Sequence, residues 1–350
     1  MFLLLLFLII LISANAFTLS MSKAVRPSEV TNLASNDQVY YFGVGSNMLK
    51  EKLINRGLVV NKGKGSKISF NKVEPGIVKN HRLAFNMKGF PPFEPAMAGI
   101  IETKPEQESE CHGALIQMTR EEYEKVWLSE GGGSKKPGYE EVIVDCYPYG
   151  SNTPVKAVSL RAAKHVRMNQ DASPSQRYMN ILLKGAQELG LSNDYIKMLH
   201  SIPTEQVNPI IKFLGFHYFF LAGLLFKMKL RQITKAVNWL LWKCYVPSAK
   251  PVNPIKRFIS QFLTASFLLP GAVLGGVIRI VMKLTGKSTP PMLASMFKKQ
   301  DATEIISSTN NNSGSVDPKE LGKGYGLSAR VRKPELQLTG TVTEIETSTS

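Results

Sequence analysis

The sequence has little of the chemistry that would hold a disulfide framework or a metal ion. It contains three cysteines, Cys111, Cys146 and Cys244, none in a CxxC pair, and an odd number argues against a full disulfide framework. The five histidines are scattered, without the HxH or HxxxH spacing typical of metal sites. We therefore expect neither a structural nor a catalytic metal.

Acidic residues are almost missing from one segment of the chain. Residues 201–300 hold 14 Lys and Arg but one acid, Glu205, a net charge of +13 out of +16 for the whole chain. These basic residues lie between long apolar runs, whereas nucleic-acid binding favours basic residues among polar ones. The pattern favours a membrane partner and no nucleic acid. The remainder, close to neutral, can hold an ordinary soluble domain.

A charge-free apolar run begins the chain. Residues 2–12 have the length of a signal-peptide core, too short to span a bilayer, and Ala14-Asn15-Ala16 supplies an A-x-A cleavage site. No positive charge precedes the run, although signal peptides usually carry one there. We expect a signal peptide over 1–16 and a transit-like linker over 17–37, which begins with a Ser- and Thr-containing stretch low in acids.

The residues around the predicted cleavage site indicate the compartment to which the protein is sent. Ser13-Ala14-Asn15-Ala16-Phe17 resembles the Ala-Phe junction of bipartite presequences that direct proteins into secondary plastids of certain algae. That resemblance implies a plastid protein. Ordinary passage through the secretory pathway is the alternative, and an uncleaved N-terminal anchor is the third interpretation.

Residues 38–202 alternate predicted strands with predicted helices. Thr119 and Glu122 have the spacing of a capping box at the start of one helix. The order, mostly β with helices interspersed, predicts an α+β fold, a small mixed β-barrel with flanking helices. We expect strands at 39–44, 76–87, 96–101, 113–118, 142–146 and 156–163, and helices at 48–56, 119–127, 175–189 and 192–199.

The segment Gly45-Ser46-Asn47 interrupts a predicted strand just before a predicted helix. Small residues at a helix start expose backbone N–H groups, and these groups with the helix dipole favour an anion. Gly45 lets a ligand approach the backbone, while Ser46 and Asn47 add polar side chains. Taken alone, Gly-Ser-Asn is more often a turn with an N-cap.

Two later stretches are equally ordinary on their own. Glu130 stands where a helix gives way to three glycines, a position typical of a solvated acid before a flexible loop. In the helix predicted at 175–189, the periodicity is that of a core-facing helix. It places four residues on one face: Tyr178, Ile181, Leu182 and Ala186.

Together and in this order, the three stretches resemble the γ-glutamylcyclotransferase family. The matching residues are 41–47 (YFGVGSN), Glu130-Gly131, Gly138-Tyr139, and the helix that begins PSQRY at 174 and ends GAQELGL. The resemblance covers about 38–202, and the family fold is a small mixed β-barrel with flanking helices. Two departures stand out. Val44 replaces a Tyr of many members, and the loop from Glu130 to Tyr139 is longer, which bears on the leaving groups that fit.

The resemblance implies an intramolecular reaction in which the α-amino group of a γ-glutamyl compound attacks its own γ-carbonyl. The products are 5-oxoproline and a free amine or amino acid. Glu130 would be the general base that accepts the amine proton. The residues implied to bind the substrate are Gly45, Ser46, Asn47, Met48, Tyr139 and Tyr178. No metal or organic cofactor is needed.

Several alternatives remain open from the sequence. The substrate can be a γ-glutamyl amino acid, a γ-glutamylamine or glutathione. The second candidate function is a non-catalytic module that binds γ-glutamyl compounds or peptides on a membrane tether. A homodimer is left open.

Residues 203–290 combine apolar runs with basic residues. Residues 258–278 carry no charge and form a run long enough to cross a bilayer. The apolar run at 208–226 is interrupted only by Lys212 and His217. The basic, amphipathic stretch between them is typical of an interfacial helix on an anionic leaflet. We expect a membrane-associated helical segment that spans the bilayer or lies on it; the alternative is a buried hairpin in a larger soluble domain. The polar residues 291–350 predict a disordered tail.

Overall fold

The computed structural model describes residues 37–58, 65–104, 106–134, 136–228, 230–247 and 253–286, all of which belong to one compact unit, Met1–Gln300. The predicted signal peptide, the linker up to residue 36, and the tail lie outside the described residues. They stay predictions, as does the plastid destination.

Of the seven strands within the described residues, five close into a barrel. The strands are β1 (Gln38–Gly43), β2 (Lys72–Lys79), β3 (His81–Phe90), β4 (Glu94–Glu102), β5 (Glu110–Thr119), β6 (Tyr139–Pro148) and β7 (Val155–Ala162). The barrel order is β1-β5-β2-β6-β7, and β3 pairs with β4 in a separate two-stranded sheet. Barrel neighbours are antiparallel except β7, which meets β1 in parallel at Tyr41 and Val158.

Four helices flank the strands: α1 (Lys50–Arg56), α2 (Arg120–Ser129), α3 (Gln176–Leu189) and α4 (Asn193–Ser201). The Thr119 hydroxyl accepts a hydrogen bond from the Glu122 N–H at 3.3 Å, as the predicted capping box requires. The Glu122 carboxylate instead accepts from the Ser69 N–H at 3.1 Å, so it serves the neighbouring loop. The predicted α+β barrel with flanking helices is confirmed.

One predicted strand is wrong. The segment 76–87 is divided between β2 and β3 by Asn80, whose φ of 55° lies in the left-handed region that Asn tolerates. The Asn80 N–H donates to Ser109 O at 2.8 Å, and its carbonyl accepts from the Thr103 N–H at 2.9 Å. The turn therefore sends β2 into the barrel and β3 into the second sheet.

The face predicted for the 175–189 helix is buried, as the periodicity indicates. Tyr178, Ile181, Leu182 and Ala186 are all buried in α3. Leu182 and Ala186 belong to a core cluster with Phe85 of β3 and Ala96 of β4. This packing fixes α3 across the two-stranded sheet, with its N-terminal turn close to the end of β1.

Three further helices follow: α5 (Pro209–Lys227), α6 (Arg231–Cys244) and α7 (Pro254–Leu284). The helices α5 and α6 pack on the two-stranded sheet, and α7 packs on α5. The ring of Phe219 in α5 lies 4.7 Å from Phe90 and 5.1 Å from Phe93, centroid to centroid. Within the described ranges, α7 is the one helix long and apolar enough to cross a membrane; the apolar part of α5 is shorter.

Candidate active site

A small cavity lies where β1 ends, and it gathers the chemistry of the barrel. The space between its lining atoms is about 280 Å³ when the part open to solvent is included. Its polar lining comes from seven side chains: Tyr41, Ser46, Asn47, Arg56, Glu130, Tyr139 and Tyr178. They reach it from widely separated parts of the chain, so only the closed barrel brings them together.

Glu130 reaches the cavity from the C-terminal end of α2. It is the residue after the helix, and its N–H donates to the carbonyls of Val126 and Trp127 at 3.1 and 3.2 Å. The Gly132 N–H also donates to Trp127 O at 2.9 Å, which turns the glycine loop back over the Trp127 side chain. The Glu130 side chain is 11% exposed, so the carboxylate is held at a defined point inside the cavity.

An arginine and an amide bind this carboxylate. Arg56 Nη2 lies 2.9 Å from Glu130 Oε1, and Asn47 Nδ2 donates to the same oxygen at 3.0 Å. Arg56 also donates to Asn47 Oδ1 and, at 2.9 Å, to Ser46 Oγ. Asn47 Nδ2 reaches Tyr41 OH at 2.7 Å. Arg56 thus orients three neighbouring side chains, and charge-assisted hydrogen bonds of this kind are among the stronger ones in proteins.

The charge on Arg56 is maintained by its surroundings. Burial disfavours the guanidinium charge, but the Glu130 carboxylate and the neighbouring tyrosines outweigh burial, so the pKa of Arg56 is raised. Because Arg56 and Glu130 are largely buried, water can do little to solvate either charge in place of its partner. Removing one partner leaves the other charge buried without compensation, which costs more than the loss of a surface pair.

The backbone of Ala98 in β4 orients two tyrosines in opposite senses. Tyr139 OH donates to Ala98 O at 3.0 Å, whereas Tyr178 OH accepts from the Ala98 N–H at 3.2 Å. The Tyr178 proton is therefore available to a ligand, and the Tyr139 oxygen can accept one. Burial raises the pKa of Tyr178 to about 12 and that of Tyr139 well above its usual value, so both hydroxyls stay protonated at neutral pH.

Gly45 permits the close approach of the turn to Tyr178. Its φ is +71°, and a Cβ there would lie 2.7 Å from Tyr178 OH and 2.8 Å from the Ala98 Cβ. The turn Gly45–Met48 is a short 3₁₀ helix, and α1 begins only at Lys50, after Leu49 in an extended conformation. The predicted helix over 48–56 thus starts two residues late. The turn is not the N-terminus of that α-helix, which corrects the argument for an anion site.

Most of the residues implied by the family resemblance do meet. Ser46, Asn47, Glu130, Tyr139 and Tyr178 all line the cavity. Gly45 lies against Tyr178, as described above. The structure places Met48 elsewhere: it is 3% exposed and belongs to the core cluster beneath the turn. Val44, which replaces the Tyr of many family members, lines the wall.

Sequence reasoning missed Arg56, Tyr41 and Ala98. A basic residue in the last turn of a helix is ordinary, since it complements the helix dipole; nothing local pairs Arg56 with a Glu 74 positions later. Tyr41 lies inside the quoted motif, so it could have been included. Ala98 acts through its backbone, which leaves no side-chain signal. Across the described ranges, no group of three His, Cys, Asp or Glu is placed to hold a metal.

Sequence comparisons with known proteins agree with the motifs found in the chain. Residues 110–199 match the model of the AIG2-like family. The chain is similar to the γ-glutamyl cyclotransferase gliK of Claviceps purpurea, with 30% identity over 138 residues that cover 39% of this chain and 61% of that protein. It is also similar to gliK of Aspergillus fumigatus, with 27% identity over 185 residues that cover 46% and 62%.

The chain thus spans about three fifths of the length of these two relatives. Among solved structures, human uncharacterized protein loc79017 is similar at 21% identity over 49% of this chain and 92% of its own, with a TM-score of 0.39. Together with the motifs from Tyr41 to Leu191, the sequence matches support a γ-glutamylcyclotransferase-like domain in this chain.

Proposed function

We propose that the chain is a γ-glutamylcyclotransferase-like enzyme that releases 5-oxoproline and a free amine or amino acid from γ-glutamyl compounds. The observation that carries the proposal is the position of Glu130, a nearly buried carboxylate fixed in the barrel cavity by Arg56 and Asn47. The names of the similar fungal proteins support the same reaction class.

The reaction needs a proton acceptor beside the substrate amine. Arg56 and Asn47 both contact Oε1 of Glu130. Within the part of the chain that the structure describes, Oε2 accepts no hydrogen bond, so it can take a proton from the substrate ammonium. The freed amine nitrogen then forms a bond to the γ-carbonyl carbon. The γ C–N bond breaks as the proton held by Glu130 passes to the leaving amine. The ring nitrogen then loses its second proton through the same carboxylate, so the products are 5-oxoproline and the leaving amine as an ammonium ion.

Two tyrosines complement the substrate in different ways. Tyr178 can donate its proton to the γ-carbonyl oxygen, where negative charge develops, or to the α-carboxylate. Tyr139 donates to Ala98 O, so its oxygen is the acceptor it offers to the ammonium group. Because amine and carbonyl belong to one molecule, holding that molecule bent supplies much of the acceleration.

Arg56 acts in this scheme as a positioning residue for the base. It holds Glu130, Asn47 and Ser46 through one planar guanidinium, and a lysine cannot reproduce that fork of donors. Without it, the carboxylate would be free to turn away from the substrate amine.

The leaving group would lie beside the glycine loop that follows Glu130. This loop is longer than the usual one of the family, with Gly132-Gly133 extra, so it bears on the choice among substrates. The candidate substrates are three alternatives, a γ-glutamyl amino acid, a γ-glutamylamine or glutathione, and the assay below distinguishes them.

The test is to incubate the purified chain with γ-glutamyl-alanine, glutathione and a γ-glutamylamine, and to measure 5-oxoproline. Glu130→Gln should lower kcat by about 100-fold to 10,000-fold, because general-base catalysis contributes that much. The matched control is Glu121→Gln, the same change on α2 at a side chain that is 82% exposed, and it should leave kcat unaltered.

Each result has a clear consequence. Near-normal turnover by folded Glu130→Gln would remove Glu130 as the base. If the chain binds a γ-glutamyl compound but releases no 5-oxoproline from any of the three, the non-catalytic binding module becomes the better description.

A further inference from the structure

One face of α7 is apolar and uncovered along its whole length. An exposed stripe, here called the α7 stripe, runs through Ile255, Phe262, Leu269, Val273, Val277 and Leu284, each at least 50% exposed. At a rise of about 1.5 Å per residue, the stripe is about 44 Å long. Ser266 is exposed within it, and no charge occurs between 258 and 278. A contiguous apolar surface of this extent on a monomer marks an interaction site.

The opposite face of α7 is joined to α5 by small residues. A Cβ at Gly275 would lie 2.2 Å from the His217 carbonyl oxygen, and one at Gly271 would lie 2.7 Å from the Tyr218 ring. Two glycines four residues apart, at a point where two helices approach closely, are common between helices in membranes. The contact fixes which face of α7 points outward.

The inner side of α5 is covered by the barrel domain. Phe90 and Phe93 stack against Tyr218 and Phe219, and Asn238 and Trp242 of α6 donate to Gly89 O at 3.2 and 3.1 Å. A spanning helix pair would face lipid or other membrane helices through the full bilayer depth, whereas here the two-stranded sheet lies against the middle of α5. This arrangement leaves one face of α7 for lipid.

Charge complementarity identifies the occupant of that face. Residues 206–286 hold 11 Lys and Arg and no acid. Lys256 and Lys283 are exposed at the two ends of the α7 stripe, and Lys212 is exposed beside Phe213 on α5. A second copy of the chain would bring these like charges together. An anionic surface would attract them, by about 1 kcal/mol for each lysine near the headgroups.

We propose that the α7 stripe inserts between the headgroups and the upper acyl chains of an anionic bilayer. The chain lies on the membrane and does not span it. The apolar side chains enter the lipid, Lys256 and Lys283 contact anionic headgroups, and the barrel stays in water. This proposal is independent of the enzymatic one, since none of its residues lines the barrel cavity.

The first test is flotation of the full chain with phosphatidylcholine vesicles and with vesicles of equal parts phosphatidylcholine and phosphatidylserine. The double variant Phe262→Asp/Leu269→Asp should bind the anionic vesicles about tenfold more weakly or worse. The control is Met198→Asp, which places one such negative charge on an exposed apolar residue of α4 and should bind normally. Lys256→Gln and Lys283→Gln should each weaken binding about fivefold.

A second measurement reads α7 alone, because the apolar N-terminal run could also bind vesicles. In a Cys244→Ser chain, Val273→Cys would carry an environment-sensitive dye, since Cys111 and Cys146 are buried. The dye should shift to the blue on anionic vesicles, and the same dye on Met198→Cys should not. Alkaline carbonate should release the bound chain, as it does for a protein that only lies on a membrane.

Four results would overturn the proposal. The first is that the Phe262→Asp/Leu269→Asp chain binds anionic vesicles as well as the unaltered chain does, while the dye at position 273 does not shift. The second is that the unaltered chain binds neutral vesicles as well as anionic ones. The third is resistance to carbonate, which would mean a spanning helix. The fourth is dimerisation without lipid that the double variant abolishes, which would make a second copy the occupant.

Discussion

The barrel cavity and the α7 stripe both depart from the usual distribution of residues, in which apolar side chains are buried and charged ones are exposed. The cavity encloses a charged pair, Arg56 and Glu130, where apolar side chains are the rule. The stripe presents apolar side chains to solvent, with Leu284 81% exposed. In the cavity, every named polar side chain has a protein partner that fixes its position. On the stripe, the outward side chains project from a helix held only at its back.

This difference separates two ways in which a surface can be prepared for a ligand. The cavity is organised before any substrate arrives, because Ala98, Asn47 and Arg56 already orient the hydroxyls and the carboxylate. The stripe requires no such precision, since hydrophobic burial is non-directional and scales with area. Substitutions should therefore have sharp effects in the cavity and graded effects on the stripe.

The largest expected effect comes from the arginine of the cavity. Arg56→Met should lower kcat/KM by about 100-fold or more, because the base loses its orienting partner and small displacements of catalytic groups cost that much. Steady-state kinetics on a γ-glutamyl substrate measures it, with circular dichroism to show that the variant is folded.

The control for this change is another ion-paired arginine. Arg82 lies 2.6 Å from Asp171 in a pair whose side chains are 43% and 34% exposed, so Arg82→Met removes a surface pair of little energetic worth. It should leave kcat/KM unaltered. Normal kinetics in Arg56→Met would show that Glu130 does not depend on its partner.

The next effect compares the exposed face of α7 with the covered face of α5, through one phenylalanine at each. Phe90→Ala should lower the free energy of unfolding by about 2–3 kcal/mol, because Phe90 packs on Phe93, Tyr218 and Phe219. Phe258→Ala, on the exposed face of α7 at 68% exposure, should change it by about 0.5 kcal/mol or less. Urea denaturation of both variants tests the pair, and equal losses would mean that the helices do not dock on the two-stranded sheet.

The smallest expected difference is between two glycine variants, and it separates backbone strain from a steric clash. Gly45→Ala and Gly190→Ala both force a side chain into positive φ, +71° and +72°, which costs about 1–2 kcal/mol. A Cβ at Gly190 would meet nothing within 4 Å, whereas one at Gly45 would meet Tyr178 OH. We expect Gly45→Ala to lower the free energy of unfolding by about 1–2 kcal/mol more than Gly190→Ala does, and also to impair activity. The same denaturation assay and kinetics measure these two effects. Equal losses would mean that Tyr178 can move aside.

The sequence allowed the barrel to be predicted where local signals were strong. The Thr119 and Ser175 hydroxyls each accept a hydrogen bond from an N–H in the first turn of a helix, so those boundaries could be read directly. The break at Asn80 could not, because its local signal is limited to the polar run Lys79-Asn80-His81-Arg82, without a Gly or Pro to mark a turn. Its left-handed conformation depends on hydrogen bonds to Ser109 and Thr103, which only the folded chain supplies.

The candidate site was accessible from the sequence only in part. Glu130, Tyr139 and Tyr178 were identified through the family resemblance, since periodicity alone assigned Tyr178 to the core. The partnership of Arg56 with Glu130 needs tertiary contact between α1 and the end of α2. Likewise, composition marked residues 258–278 as apolar, but which side of α7 remains open depends on how α5 covers the other.

The aromatic contact between Phe90, Phe93 and α5 has a consequence for how this protein can be divided. The γ-glutamylcyclotransferase resemblance ends near residue 202, yet the sheet that holds Ala98 carries Gly89 and Phe90 as the docking place of α5 and α6. A chain cut after residue 204 would expose these rings and invite aggregation. The part of the chain that must fold together is therefore larger than the part that resembles the family, because α5 and α6 cover the apolar surface of this sheet.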